Sequence, residues 1–305
     1  MQKNITIVGL GKVGRVLLYS LLGLKNYTFS INVIDIDESI TGSILDLSHT
    51  AEIYKNHSIV LNNIDAFERS DFIFHCAGAS VPIGASRLAI TEESIKITQT
   101  VFHNFHSKTN PYIIVVANPV DIISYYTWIF SGIEKSRIIG TGTLLDAMRM
   151  KFYLSPFVEN KKIKPLILGE HGDSMVFVKS QSYIGERKIG EVLNAVDLAI
   201  AFKQTKHAAS EIKKTQLATY YAVASCAVYI MEKILEDSTD VFPASTFIPE
   251  KIQKTLGCGE IFMSLPTKIT QHGFSCDDSF FEIYEIQELK RSAAIIQQQQ
   301  RQIRL

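Results

Sequence analysis

The tightest constraint on the fold is the run Gly9-Leu10-Gly11-Lys12-Val13-Gly14, which fits G-x-G-x-x-G. It stands between a short β-branched apolar stretch, Ile5 to Val8, and a helically spaced one, Val13 to Leu22. A strand that turns into a helix across such glycines is a dinucleotide-binding turn. The first glycine allows the tight turn, the second lets the backbone approach a pyrophosphate, and the third lets helix and strand pack closely. Unpaired N–H groups at the helix start then face the phosphates. Glycines also make plain turns, so the motif alone is weak. Asp35 sharpens it. It ends a second strand, Ser30 to Ile34, 21 residues after Gly14, where a carboxylate accepts hydrogen bonds from an adenosine ribose. The same charge repels a ribose 2′-phosphate, and the next residue, Ile36, is neutral. NAD is therefore expected rather than NADP.

The first half continues in the same rhythm. Ser39 to Leu47 and Thr91 to Phe105 read as helices, and Phe72 to Cys76 and Ile113 to Val116 as buried strands. Ile138 to Gly140 reads as a last strand before the helix Leu144 to Leu154. Short apolar strands alternating with helices predict a parallel sheet buried on both faces. The rhythm stops near Thr141. The expected fold is α/β: a Rossmann-type doubly wound parallel sheet over residues 1–141, followed by an α+β substrate domain over residues 142–305. In the second half, Lys164 to Leu168 and Ser174 to Phe177 read as strands joined across a glycine-rich turn. Glu191 to Leu235 is helix-like almost throughout, longer than an ordinary globular helix, and a break is expected near Gln216 to Thr219. Ile261 to Leu265 and Phe280 to Ile283 read as antiparallel strands ahead of a C-terminal helix.

Composition narrows the function classes. A chain of 305 residues, 46% hydrophobic and 20% charged, can bury a large core without disulfides or a metal. Lys plus Arg and Asp plus Glu balance at 31 each, which argues against nucleic-acid and anionic-membrane partners. Cys76, Cys226, Cys258 and Cys276 form no C-x-x-C pair and read as reduced thiols of a cytoplasmic protein. The run Ile5 to Val8 is too short for a signal-peptide core, and Ala222 to Met231 falls well short of the roughly 20 residues of a membrane span. No His-Glu-x-x-His or Cys/His cluster suggests a metal, and no Gly-x-Ser-x-Gly elbow suggests a serine hydrolase.

The segment Gly169-Glu170-His171-Gly172-Asp173-Ser174 resembles the catalytic histidine signature of the L-lactate/malate dehydrogenase family. Four further segments match in order: Ala77-Gly78-Ala79 leading to Ser86-Arg87-Leu88, Asn118-Pro119-Val120-Asp121, Gly140 to Asp146 leading to Arg149, and Ala218-Thr219-Tyr220-Tyr221. The resemblance runs from Asn4 to about Ala293. It implies an NAD-dependent enzyme acting on small 2-oxo and 2-hydroxy acids, as a homodimer or homotetramer.

The residues suit that chemistry. Reducing a 2-oxo acid needs a hydride, a proton, a carboxylate anchor and a carbonyl polariser. Histidine titrates near neutrality, which fits the proton role, and the resemblance gives that role to His171. Asp146 and Arg149 are three apart on a predicted helix and share a face; the plain reading is a local ion pair. The resemblance separates their tasks. Asp146 accepts the second imidazole N–H of His171 and favours its protonated form. Arg149 grips the substrate carboxylate through a bidentate pair. Arg87, at the end of the small and apolar loop Ala79 to Ser86, is implied to polarise the carbonyl as the loop closes. Asn118 and Thr219 are implied as pocket contacts, Asn118 also toward the cofactor, and Val223 as an apolar wall near the nicotinamide.

Val81 is the expected substrate selector. Lactate-type members of the family usually carry Gln at this position and malate-type members Arg. Valine offers no partner to a second carboxylate, whose unpaired desolvation costs on the order of several kcal/mol. Pro82 and Ile83 add apolar surface. The expected substrates are 2-oxo acids with apolar side chains, from pyruvate to branched or aromatic ones, as in the lactate and 2-hydroxyisocaproate type. The alternatives are an ordinary L-lactate dehydrogenase with an unusual loop, a malate dehydrogenase, and a catalytically silent NAD(H)-binding module. Retention of His171, Asp146, Arg149 and Arg87 as a set speaks against the last.

Overall fold

The computed structural model describes the chain except for residues 1, 55, 80–86, 159–161, 217, 271–272, 277–282 and 304–305, and except for the side chains of Arg87 and Ile283. The first half supplies strands β1 (Gln2–Val8), β2 (Thr28–Ile34), β3 (His57–Leu61), β4 (Phe72–His75), β5 (Tyr112–Val115) and β6 (Ile138–Gly140). They lie in the order β3-β2-β1-β4-β5-β6, all neighbours parallel. Helices α1 (Lys12–Leu22), α2 (Thr41–Tyr54), α3 (Ile64–Glu68), α4 (Arg87–Phe102) and α5 (Val120–Ser131) connect them. Ile5, Ile7, Ile31, Val33, Ile73, Phe74, Ile113 and Ile114 are all buried, because helices cover both faces; the strands therefore read as continuous apolar runs. The strand order reverses between β1 and β4. That is the switch point at which a crevice opens beyond the carboxyl ends of the strands, and the glycine turn follows β1 directly into it.

Beyond β6 come α6 (Leu144–Leu154), β7 (Ile163–Lys164), β8 (Ile167–Leu168), β9 (Val176–Phe177), β10 (Tyr183–Ile184), β11 (Arg187–Lys188), α7 (Ala195–Gln216) and α8 (Tyr221–Leu235). They are followed by β12 (Val241–Phe247), α9 (Glu250–Leu256), β13 (Phe262–Thr270), β14 (Gly273–Cys276) and α10 (Ile283–Gln302). The parallel rhythm ends at β6, but the sheet does not. β12 pairs antiparallel with β6 through Ser245 and Gly140, and β13 and β14 extend it, giving nine strands among the described residues. β8 and β9 pair antiparallel around the His171 loop and cover the inner part of the expected strands Lys164 to Leu168 and Ser174 to Phe177, while Lys164 belongs to β7, which pairs with β10. The long helical stretch breaks between α7 and α8, at the expected place, where Tyr220 leaves the helical region at φ −145°.

β14 pairs antiparallel with β13. The other strand expected before the C-terminal helix is Phe280 to Ile283. Residues 280–282 lie outside the described residues, and Ile283 opens α10. The buried positions of that helix, Leu289, Ala293 and Ile296, recur at helical spacing.

Two apolar cores flank the sheet. On one side α1 and α8 pack together, with Leu17, Leu18, Ala227, Ile230 and Met231 buried between them and the strands. On the other, α4, α5 and α10 bury Ile95, Phe102, Ile123 and Leu289. A third cluster, including Met150, Leu154 and Leu198, joins α6 to α7. Among the described residues, no helix is long and apolar enough to cross a membrane.

Candidate active site

The turn after β1 shows why its three glycines stand where they do. Gly9 has φ +91°, and a Cβ on it would lie 2.7 Å from the Ala77 backbone. A Cβ on Gly14 would fall 2.1 Å from the Gly9 carbonyl oxygen. Both positions need glycine for packing alone. Gly11 differs: a Cβ there would meet no protein atom within 4 Å, although Gly11 caps α1. The helix has no side-chain cap and no acidic residue in its first turn. The helix start, with its uncapped N–H groups, thus has open space where a Gly11 side chain would intrude, which fits a pyrophosphate. Asp35 follows β2, half-buried. Its Oδ2 accepts the Leu10 N–H at 2.6 Å and its Oδ1 the Asp37 N–H at 2.9 Å. Asn62 pins its backbone from both sides. The carboxylate is thus aimed at the glycine turn, and its four lone-pair sites, roughly counted, leave room for ribose hydroxyls.

α6 begins where β6 ends, and its first turn is anchored by β13: Ser264 Oγ accepts the Thr143 N–H at 2.9 Å. Asp146, in the first turn of α6, is buried, with only 1% of its side chain exposed. Asp146 Oδ2 lies 2.7 Å from His171 Nδ1, and Asp146 Oδ1 accepts from Arg149 Nη1 at 3.0 Å. The ion pair and the imidazole contact coexist on the two oxygens of one carboxylate. His171 and Arg149 are 21% and 13% exposed, both more accessible than the acid they share. With Nδ1 engaged by a carboxylate, Nε2 is the ring's other proton site. Burial pushes the imidazole pKa down. The charge and hydrogen bond of Asp146, with the charge of Asp121, outweigh burial and Arg149, and hold it above its ordinary 6.5.

Asp121 is a member of this site that residue reasoning passes over. It sits on α5, buried, and its Oδ2 accepts the backbone N–H of His171 at 2.9 Å. Its Oδ1 accepts the hydroxyl of Ser245, on β12, at 2.6 Å. Burial drives its carboxyl up to about 6, against the pull of both hydrogen bonds. Its place in Asn118-Pro119-Val120-Asp121 was the available signal; its partner lies 50 residues away.

The other expected residues are distributed around this cluster. Asn118 is exposed between β5 and α5, joined to Pro119 by a cis peptide, and its Oδ1 accepts the Val120 N–H at 3.2 Å. Thr219 is half-buried in the link between α7 and α8. Val223 is buried in the first turn of α8, in the same apolar cluster as Leu144 and Leu145 of α6. Arg87 opens α4, but its side chain, like Val81, lies outside the described residues.

A Rossmann sheet with an open glycine turn, together with an imidazole and a guanidinium sharing one buried carboxylate, fits a nicotinamide-dependent dehydrogenase. Comparison with known proteins gives the family. The chain matches the family descriptions "lactate/malate dehydrogenase, NAD binding domain" over residues 3–140 and "lactate/malate dehydrogenase, alpha/beta C-terminal domain" over residues 143–300. An L-lactate dehydrogenase of Clostridium botulinum (strain Loch Maree / Type A3) is 31% identical over 274 residues, 86% of this chain and 85% of that one. That of Bacillus pumilus (strain SAFR-032) is 29% identical over 282 residues, 88% of each. The crystal structure of a minor L-lactate dehydrogenase from Enterococcus mundtii, in a ligands-bound form, superposes with TM-score 0.91 at 27% identity, over 100% of this chain and 99% of that one. The chain belongs to the lactate/malate dehydrogenase family. It is an NAD-dependent oxidoreductase acting on a CH–OH group, in a family whose substrates are 2-oxo and 2-hydroxy acids.

Proposed function

We propose that this enzyme is an L-2-hydroxy acid dehydrogenase for small acids with apolar side chains, from pyruvate to branched or aromatic 2-oxo acids. The observation that carries the reading is the Asp146 carboxylate divided between His171 at 2.7 Å and Arg149 at 3.0 Å. Asp146 holds the imidazole in one orientation and favours its charged form, so Nε2 gives a proton to the carbonyl oxygen of an oxo acid and takes one from a hydroxy acid. The Arg149 donors not used by Asp146 grip the substrate carboxylate. Arg87 polarises the carbonyl as negative charge develops on its oxygen, and Thr219 and Asn118 line the pocket. Gly9, Gly11, Gly14 and Asp35 hold the dinucleotide, with Asn118 and Val223 near its nicotinamide. NAD(H) supplies or accepts the hydride. In this reading residues 1–141 serve the cofactor and residues 142–305 the substrate. Val81 excludes a second carboxylate, and the names of the bacterial L-lactate dehydrogenase relatives support the same substrate class. We further assign a homodimer or homotetramer in the cytoplasm; exposed apolar side chains on α2, Leu45 and Ile53, support association, and light scattering tests it.

The decisive assay offers pyruvate, 2-oxoisocaproate, phenylpyruvate and oxaloacetate at equal concentration and follows NADH absorbance, with His171→Asn as control. Turnover of the apolar acids, lost in the control, is expected. Preference for oxaloacetate overturns the substrate assignment. NADH binding without turnover of any acid points instead to a silent NAD(H)-binding module.

A further inference from the structure

The loop carrying His171 is gripped from a direction that the proposed chemistry leaves unexplained. Ser292, fully buried on α10, accepts the Glu170 N–H through Oγ at 2.7 Å and lies 3.0 Å from Ser174 Oγ. Gln299 stands seven residues further along α10, two helical turns on and therefore on the same face. Its Nε2 donates to Glu170 Oε1 at 3.0 Å. The other oxygen, Glu170 Oε2, accepts the Ser174 hydroxyl at 2.5 Å. The Glu170 carboxylate is thus folded back across its own loop, and ties both ends of residues 170–174 to α10.

The glycines of the loop make room for this clamp. A Cβ on Gly172 would lie 2.8 Å from Glu170 Cδ. A Cβ on Gly169, at φ +91°, would lie 2.6 Å from Ser292 Oγ. Gly169 also exchanges backbone hydrogen bonds with Ser264 of β13. His171 is therefore flanked by residues whose backbone and side chains are fixed from α10, while its own N–H is fixed by Asp121 and its ring by Asp146.

We propose that α10 sets the position of the His171 imidazole, with Ser292 and Gln299 as positioning residues that act through Glu170. The inference rests on the reading of His171 as the proton donor. A short loop without regular structure cannot by itself hold a ring within the half ångström or so that proton transfer requires. Each bond that fixes Glu170 removes backbone freedom at its immediate neighbour, and two of these bonds come from one rigid helix face.

A charge swap in the full chain tests this. Gln299→Glu sets a second carboxylate where Glu170 now accepts a hydrogen bond. The double variant Glu170→Gln/Gln299→Glu restores the pair with donor and acceptor exchanged. The readouts are kcat and KM for the preferred 2-oxo acid, backbone amide exchange of residues 170–175, and the thermal midpoint. Gln299→Glu is expected to speed amide exchange in the loop and to lower kcat by about tenfold or more, with KM for NADH unchanged. The double variant is expected to recover both. Ser292→Ala, which removes the acceptor of the Glu170 N–H, gives the same pattern of loss. Unchanged kcat and exchange in Gln299→Glu overturn the clamp, as do losses the double variant fails to recover. A lowered thermal midpoint with kcat intact assigns these contacts to stability alone and overturns it too. If the unmodified protein turns over no 2-oxo acid while loop exchange rises and recovers as described, the clamp stands and the reading of His171 fails.

Discussion

Replacing Asp121 by Asn tests whether the carboxylate behind His171 is retained against the stability of the fold. Asp121 is 3% exposed, and burial raises its carboxyl from the ordinary 3.8 to about 6. Between those two values the folded protein binds the proton more readily than the unfolded chain. The contribution of Asp121 to stability therefore falls as pH rises from 3.8 to about 6, and is flat above. The interval between 3.8 and 6, at about 1.36 kcal/mol per pH unit, amounts to about 3 kcal/mol at neutral pH. Asparagine preserves the shape: its Oδ1 accepts the His171 N–H, and its amide donates to the Ser245 hydroxyl, which turns to accept. Only the charge is lost. Urea unfolding at equal protein concentration should find Asp121→Asn more stable by up to about 3 kcal/mol at neutral pH, shrinking to about 1.5 kcal/mol near pH 5. Activity should move the other way. Although burial is the largest influence on His171 and lowers its pKa, the Asp146 and then the Asp121 charges raise it. Without the second, the pH at which oxo-acid reduction declines shifts down. A variant less stable than the parent at every pH, or an advantage that does not grow with pH, refutes the reasoning. A stability gain with an unmoved pH profile confines Asp121 to holding the His171 backbone.

Gly11→Ala should fold normally, since its Cβ meets no protein atom within 4 Å, yet weaken NADH binding by about tenfold or more in a fluorescence titration. Gly14→Ala, with its Cβ 2.1 Å from the Gly9 carbonyl oxygen, should lower the melting temperature as well. Oxo-acid reduction should fall as pH rises through the raised pKa of His171, because only the imidazolium donates, while hydroxy-acid oxidation rises over the same window. Profiles of kcat/KM in both directions check this, and limbs at two different pH values contradict a single group. Val81→Arg should move the kcat/KM ratio of oxaloacetate to 2-oxoisocaproate upward by about tenfold or more, through a charge pair the parent lacks.

What was legible in the sequence follows from how far apart the cooperating residues lie. Gly9 to Gly14 and Asp35 belong to one βαβ unit, so spacing within a short window encodes them, and the parallel strands announce themselves because both faces are apolar. Asp146 and Arg149 were legible as neighbours, but not the division of one carboxylate between Arg149 and His171. β12 is absent from the sequence reading, and β13 appears there only in its first half. Pro243 faces Pro266 across their ladder, and proline argues against a central strand. Their buried positions also carry hydroxyls, among them Ser245, Ser264 and Thr267, so apolar patterning is weak. Two of those hydroxyls build the site: Ser245 holds Asp121, and Ser264 holds the start of α6. The strands are hard to read because hydroxyls that position α5, α6 and the His171 loop are interspersed with their core residues, Phe242, Ala244, Phe262, Met263 and Leu265. The bonds from Asp121 to His171 and from Glu170 to Ser292 span 50 and 122 residues, so no local pattern reveals them. Local consistency of sequence with structure lapses where polar groups serve a site. Here that lapse marks β12 and β13 as scaffold for the His171 loop and the start of α6.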